Sequence, residues 1–457
     1  MTSPMNPTEV FVDHALGLAW ADIPLSARQA AATFLHDTLC VGAAGVKAAH
    51  ADQILGAVQG WGQGGEGQVL GRSGVRLPAV QAAFINAFQM HAQEFDCVHE
   101  PAVLHPMATM GAAVMAECDR SGPYSGAEVT AALVVGADVA LGLGVAAISA
   151  LKFFRPATSG LFGAISAICR LRGVSREVAL DAFGYGLGFA SGTMQAHEEG
   201  KPALPVQIAN AARAALMAVD LAEAGLPGPR RSLDGTFGYM MLFETEWDLA
   251  PVLASLGKVF RINEVSWKPF PTGRAAHGAI VATQTLINEH GLKPEDLEHL
   301  TYFAPPLIGR LVGRPMIETM TPAHARLCFP YLAGVVLTTG GVALHDFTPE
   351  RLNDPLIRAL GARVTVVDDG NLDPAAFVPA RAVARLKDGR ELVVPVTAQF
   401  GSPAWPLSRE QHLAKAKACL TFAEMANAHA PLTQLFDHFA TLDSTDRVFA
   451  LACGTAT

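Results

Sequence analysis

Residues 125–150 read SGAEVTAALVVGADVALGLGVAAISA, and the choice between lipid and protein as their solvent decides the fold. From Val129 the stretch is long and apolar enough to span a bilayer, which takes about 20 such residues. Asp138 stands near its centre, Gly136, Gly142 and Gly144 interrupt it, and small side chains supply most of its bulk. A carboxylate at mid-membrane is costly, so the stretch is expected as a helix buried inside protein, with no membrane partner. Ser125 and Glu128 are spaced as a capping box that starts it.

Outward from this helix the N-terminal signals stay helical to about residue 260. Ser26 precedes a run in which Phe34, Thr38 and Val41 share a face, with Gly42 the expected stop. Gly173 closes a later helix, Ser175 caps the next, and Glu177 lies in its first turn, where the helix dipole favours an anion. A strand is expected only around residues 68–70. After Val265 the pattern alternates: 300–304, 363–367, 380–386 and 391–396 read as strands, the last two joined by the hairpin dipeptide Asp388-Gly389. From Ser408, which with Gln411 is spaced as another capping box, the chain turns helical again, with Leu413, Ala416 and Leu420 on one face. The expected fold is mainly α: a large helical domain built from both chain ends, 1–264 and 400–457, and a smaller α+β domain, 265–399.

The totals narrow the function. At 457 residues the chain exceeds the size at which one core keeps growing. A net charge of −9 without clustered Lys and Arg excludes a nucleic-acid partner, because displacing phosphate counterions needs such clusters. Charged residues make up only 16% and glycine and alanine abound, which suits close helix packing and a homodimer. The seven cysteines form no CxxC pair, so zinc and iron–sulfur sites of the usual spacing are not expected. Their odd, scattered set and the lack of an early basic residue point to a cytoplasmic protein.

Residues 62–67 spell GxGxxG, the phosphate-loop glycine pattern. A phosphate loop needs a strand before it and a helix after it, whereas here a strand and then Arg72-Ser73-Gly74 follow, so a flexible loop is the expectation. The richer segment is 86–106, NAFQMHAQEFDCVHEPAVLHP. It gathers His91, His99 and His105 with Glu94, Asp96 and Glu100 in a chain otherwise poor in charge. Histidine titrates near neutrality and carboxylates set its tautomer, so this density suits general acid/base work. A metal site would ask for spacing such as HExxH, which is absent; a solvated loop is the plainer alternative. A second cluster, SWKPFPTGR at 266–274, holds Lys268 and Arg274 at the expected domain junction. A lysine between Trp267 and Pro269 can serve as a base or hold a carboxylate, against the alternative of a proline-rich linker.

These segments together resemble the MmgE/PrpD family of 2-methylcitrate dehydratases. Pro78–Ala83 with Asn86, His91, Glu94-Phe95-Asp96 and His105-Pro106 match the family's entry to its active-site loop. Phe154–Thr158 leading into Gly160–Ala164, Lys201-Pro202 with Asn210–Ala212, Lys268–Pro271, and Ala325-Arg326 with Phe329–Tyr331 follow in the family's order over nearly the whole chain. The resemblance implies a helical domain with an α+β lid, a dimer, and no metal or organic cofactor. It places the family's active-site acid on Glu94, its loop histidine on His105, its lysines on Lys201 and Lys268, and its tyrosine on Tyr331.

The sequence also departs from the family. DFDD is here Glu94-Phe95-Asp96-Cys97, the threonine often found next is Val98, one extra residue precedes His105, and Arg155 replaces a histidine. Arginine is no base at neutral pH but grips carboxylates bidentately, which suggests a different acid or a different charge arrangement on the substrate. The expected chemistry is dehydration of a 2-hydroxy di- or tricarboxylate, with epimerisation, decarboxylation, or binding without turnover as alternatives. Lys268 or His105 is the expected base, with Glu94, Asp96 or Tyr331 assisting proton delivery. His99, Arg155, Lys201 and Arg274 are the expected substrate contacts.

Overall fold

The computed structural model describes residues 6–373 and 375–455. The helix at the centre of the sequence argument runs Gly126–Ala146, and 94% of its most apolar window is buried inside the protein. Its N-terminus carries the capping box: Glu128 N–H donates to Ser125 Oγ (3.2 Å) and Ser125 N–H donates to Glu128 Oε2 (2.8 Å). The remaining elements follow from the same physics.

The chain divides into two compact units. The first comprises Met1–Ala92, Asp96–Val265 and Glu410–Thr457; the second comprises Gln93–Phe95 and Ser266–Arg409. The principal helices of the first unit are α1 (Pro7–Gly17), α2 (Leu25–Ala44), α3 (Ala51–Trp61), α4 (Ala79–His91), α5 (Pro106–Ser121), α6 (Gly126–Ala146), α7 (Arg155–Arg172), α8 (Arg176–Phe189), the single turn α9 (Gln195–Glu198) and α10 (Ala203–Glu223). α6 and α7 pass so closely that a Cβ on Gly136 would lie 2.7 Å from the Gly163 carbonyl oxygen. Only glycine allows that approach. Around this crossing, Leu, Val, Phe and Met side chains of α4, α5 and α7 are shut away from water, each worth about 2 kcal/mol.

Several local expectations change. α2 starts at Leu25 behind Pro24, not after Ser26, and runs past Gly42 to Ala44. Gly42 is no stop signal, because a Cβ there would press on Leu70 Cδ1 at 2.5 Å; its face packs against that loop. The first unit also carries a two-stranded ribbon, β1 (Gly67–Gln68) antiparallel to β2 (Arg76–Leu77). The GxGxxG run therefore links the end of α3 to a strand, the reverse of a phosphate loop. In the tail helix Arg409–Phe422 the buried face includes His412 and Lys415. Lys415 Nζ is 2.8 Å from Asp37 of α2, and His412 Nε2 is 2.9 Å from His36 Nδ1.

The second unit is built on β3 (Leu297–Ala304), β4 (Val364–Asp368), β5 (Ala380–Leu386) and β6 (Glu391–Val396), in the order β4-β3-β5-β6. β4 runs parallel to β3, while β5 and β6 are antiparallel neighbours joined through Asp388-Gly389, with Gly389 at φ 88°. Helices His277–Asn288 and Phe329–Thr339 share the apolar core with this sheet.

Candidate active site

α4 ends at His91 and α5 begins behind His105, so the loop between them is anchored by two helix ends. In the first unit three of its side chains meet. His91 Nδ1 lies 3.1 Å from both oxygens of Asp96, and His105 Nδ1 lies 3.3 Å from Asp96 Oδ2. His105 Nδ1 is also 3.1 Å from the Cys97 carbonyl oxygen. Carboxylate and carbonyl oxygens only accept, so Nδ1 of His105 carries the proton and the basic lone pair sits on Nε2. The two rings are T-shaped at 4.8 Å, and His91 also faces Phe154 at 6.0 Å.

Asp96 is wholly buried, while His105 keeps 13% of its side-chain surface, so the dyad opens outward through His105. Burial pushes the Asp96 carboxyl up, but the charges and hydrogen bonds of His91 and His105 outweigh it and hold the group well below the usual carboxylate range. Asp96 is thus an anion that orients an imidazole, an arrangement able to give and take protons.

Among the described residues, His91, Asp96 and His105 are also the set whose ligand atoms lie close enough, within 4.8 Å, to hold a metal ion. Their spacing in sequence resembles no metal motif. The contacts at Nδ1 are those of a hydrogen-bonded carboxylate: the Cys97 carbonyl and Asp96 both face His105 Nδ1, which therefore carries a proton.

In the second unit, Lys268 is wholly buried and its Nζ donates to Glu94 Oε2 at 2.7 Å and to the Glu94 carbonyl oxygen at 3.3 Å. Glu94 adopts φ 49°, left-handed backbone that a glutamate holds only when its surroundings impose it. Two further cations feel this carboxylate. Burial lowers the guanidinium of Arg314, and that of Arg326 falls to about 9 for the same reason; the Glu94 charge pulls each part of the way back. Arg326 donates to the carbonyls of Gln93 (2.8 Å) and Pro271 (2.7 Å), bonds Gln93 Oε1, and lies over the Phe347 ring at 3.9 Å. Arg326 therefore ties the Glu94 segment to the Lys268 loop. Phe95 alone separates Glu94 from Asp96 in the chain.

Residues 9–251 match the MmgE/PrpD N-terminal domain and residues 270–431 match the MmgE/PrpD C-terminal domain. The chain belongs to the MmgE/PrpD family. Cis-aconitate decarboxylase of Homo sapiens is 27% identical over 355 residues, covering 75% of this chain and 73% of the human protein. Cis-aconitate decarboxylase of Mus musculus is 27% identical over 360 residues, covering 75% and 72%.

Other positions that the MmgE/PrpD resemblance and the loop composition single out lie apart from these clusters or are already committed. Arg155 is bidentate to Glu244 (2.9 Å from Nε and from Nη2) and donates to the Ser149 carbonyl, a buried ion pair in place of a substrate grip. The Tyr331 hydroxyl is wholly buried and donates to the Asp346 carbonyl at 2.5 Å, and burial pushes it far above the usual phenol range, so it braces the fold rather than supplying protons. Arg274 donates to the carbonyls of Trp267 (3.2 Å) and Phe400 (2.6 Å), shaping the Lys268 loop from behind. His99 spends both nitrogens, on Ala102 N–H and Glu264, and has no exposed surface for a substrate. Lys201 is exposed in the turn before α10. Composition carries no signal for Arg314, Glu244 or Glu264 as partners, whereas Arg326 lies in the Ala325-Arg326 stretch that matches the family.

Proposed function

We propose that this chain is a lyase of small polycarboxylates that needs no metal or organic cofactor and works by moving protons next to a carboxylate. The observation that carries this reading is the Lys268–Glu94 pair, a buried ammonium 2.7 Å from a carboxylate held in strained backbone, in the field of Arg314 and Arg326. One anion among several cations leaves net positive charge, which suits a di- or tricarboxylate and takes up the charge that builds on carboxylate oxygens in an enediolate-like transition state. In the first unit, the Asp96–His105 dyad offers an imidazole whose Nε2 accepts a proton as a base or returns it as an acid.

Decarboxylation is the first form of the reaction we infer, because the two relatives above carry that activity in their names. The bond from carbon to one carboxylate breaks, CO2 leaves, and the electron pair left on carbon takes a proton. Dehydration is the second form: the base removes the proton α to a carboxylate, the C–O bond breaks, and the departing hydroxyl is protonated. Epimerisation shares the first half of that path.

The test is a panel of cis-aconitate, citrate, 2-methylcitrate and malate with purified protein, followed by proton NMR and by CO2 release. Loss of CO2 from cis-aconitate supports the first form, and an alkene signal from a hydroxy acid supports the second. Tight binding with no turnover of any member, unchanged in Lys268→Ala, would leave a binding protein instead.

A further inference from the structure

Asp138, the carboxylate that rules out a membrane reading of α6, has a partner on each oxygen. His14 Nε2 lies 2.9 Å from Oδ2, and the backbone N–H of Arg261 donates to Oδ1 at 2.8 Å. That second bond anchors the start of the short turn Arg261–Glu264. At the turn's end Glu264 Oε2 lies 3.3 Å from Arg261 Nη1 and 3.0 Å from His99 Nε2. The other nitrogen of His99 accepts from Ala102 N–H at 3.1 Å. Nδ1 is therefore unprotonated and Nε2 is the donor to Glu264, so the ring is held in one neutral tautomer.

The ring closes a small loop. The backbone N–H of His99 donates to the Leu104 carbonyl (2.8 Å) and the backbone N–H of Leu104 donates to the His99 carbonyl (3.2 Å). Between them Val103 sits at φ 49°, a left-handed backbone that a β-branched residue holds only where the surroundings over-determine it. Ala102 is packed onto α6 so closely that a Cβ on Gly144 would lie 2.6 Å from its own Cβ. His105 follows Leu104 directly and forms the N-cap of α5. Its direction is set by where this closed loop ends.

We propose that Glu264 is a positioning residue for His105, acting through His99. Glu264 holds the His99 ring, the ring holds the Ala102 amide against the strained turn, and the closed loop delivers His105 Nδ1 to Asp96 and the Cys97 carbonyl. Asp138 belongs to the same device, because it seats the turn that carries Glu264. The inference rests on the role of His105 given above, and its spectroscopic arm stands apart from that role.

The experiment uses full-length protein with 15N-labelled histidine, the His105 ring signals being identified by their loss in His105→Asn. Glu264→Ala removes the acceptor at a side chain that is 39% exposed, where truncation is tolerated. The expected result is displaced His105 ring signals and, with cis-aconitate as probe, kcat down about tenfold with KM within about twofold. Glu264→Gln keeps an acceptor for His99 and restores both. If alanine unfolds the chain, Glu264→Asp, which draws the carboxylate back by one methylene, carries the same expectation. His105 signals that overlay the wild type in the alanine or aspartate variant overturn the proposal, whatever happens to kcat. Displaced signals in a protein that turns over no cis-aconitate leave the positioning device standing and count against the assigned reaction.

Discussion

Replacing Asp96 by asparagine changes one atom and breaks the logic of the dyad. The carboxylate accepts from His91 at 3.1 Å on both oxygens and meets His105 at 3.3 Å. An amide offers one oxygen and one NH2, so an Nδ1–H donor now faces another donor. If His105 yields, its proton moves to Nε2, its Nδ1 lone pair then opposes the Cys97 carbonyl, and the nitrogen that served as base is blocked. A histidine locked in the wrong tautomer costs on the order of 10³-fold in kcat, about 4 kcal/mol of barrier. The mismatch in a wholly buried site costs a further 1–3 kcal/mol of stability, roughly.

The pH dependence has a definite sign. Because the folded-state Asp96 carboxyl lies well below the usual range, its ionised form stabilises the protein at every pH above the ordinary aspartate value near about 4. That contribution is lost as the pH falls through the depressed value. The wild-type margin in Tm over Asp96→Asn is therefore level above roughly pH 5 and shrinks below roughly pH 4. Initial rates by NMR and thermal melts across this window check both parts. A folded Asp96→Asn protein that keeps more than about a third of wild-type kcat would refute the role given to the dyad.

Further expectations concern the second cluster and the committed residues. Lys268→Met should lower kcat by about 10²–10³ and raise the KM for a polycarboxylate, since it strips a cation 2.7 Å from Glu94; unchanged kinetics would count against the reading. Tyr331→Phe loses only the bond to the Asp346 carbonyl, so melts should show about 1 kcal/mol of destabilisation with kcat within about twofold. Arg155→Met strands the buried Glu244 carboxylate and should cost about 3–5 kcal/mol in denaturant unfolding. Turnover should be the same before and after EDTA treatment, and a divalent ion that restored lost activity would reinstate His91, Asp96 and His105 as ligands.

Local physics made much of this molecule legible in its sequence. The hairpin of β5 and β6 shows as two alternating runs around Asp388-Gly389, because side chains on a strand alternate faces; the turn itself takes three residues, 387–389, and only Gly389 adopts positive φ. The capping box at Ser125 and Glu128 is a three-residue relation and is visible for the same reason. Gly42 misled because a glycine that ends a helix and one that admits a neighbour look alike until Leu70 is in place.

The candidate site divides along the same line. The histidines and carboxylates of 91–105 stand out by density, but what each does is set by partners far along the chain. Arg155 meets Glu244 across 89 positions, His99 meets Glu264 across 165, and Arg326 meets Gln93 across 233. No periodicity encodes such pairs; they exist only once the helices pack. Only family position singles out Tyr331 in the sequence, and burial with a carbonyl acceptor gives its hydroxyl a bracing task.

Turnover in D2O is the most direct measurement of proton transfer beside a carboxylate. With cis-aconitate, the wild-type protein should yield a decarboxylated product bearing one carbon-bound deuterium in the former allylic unit, and Lys268→Met and Asp96→Asn should each suppress that signal. A folded wild-type protein that places no deuterium on carbon in any substrate of the panel would contradict the assignment at its root.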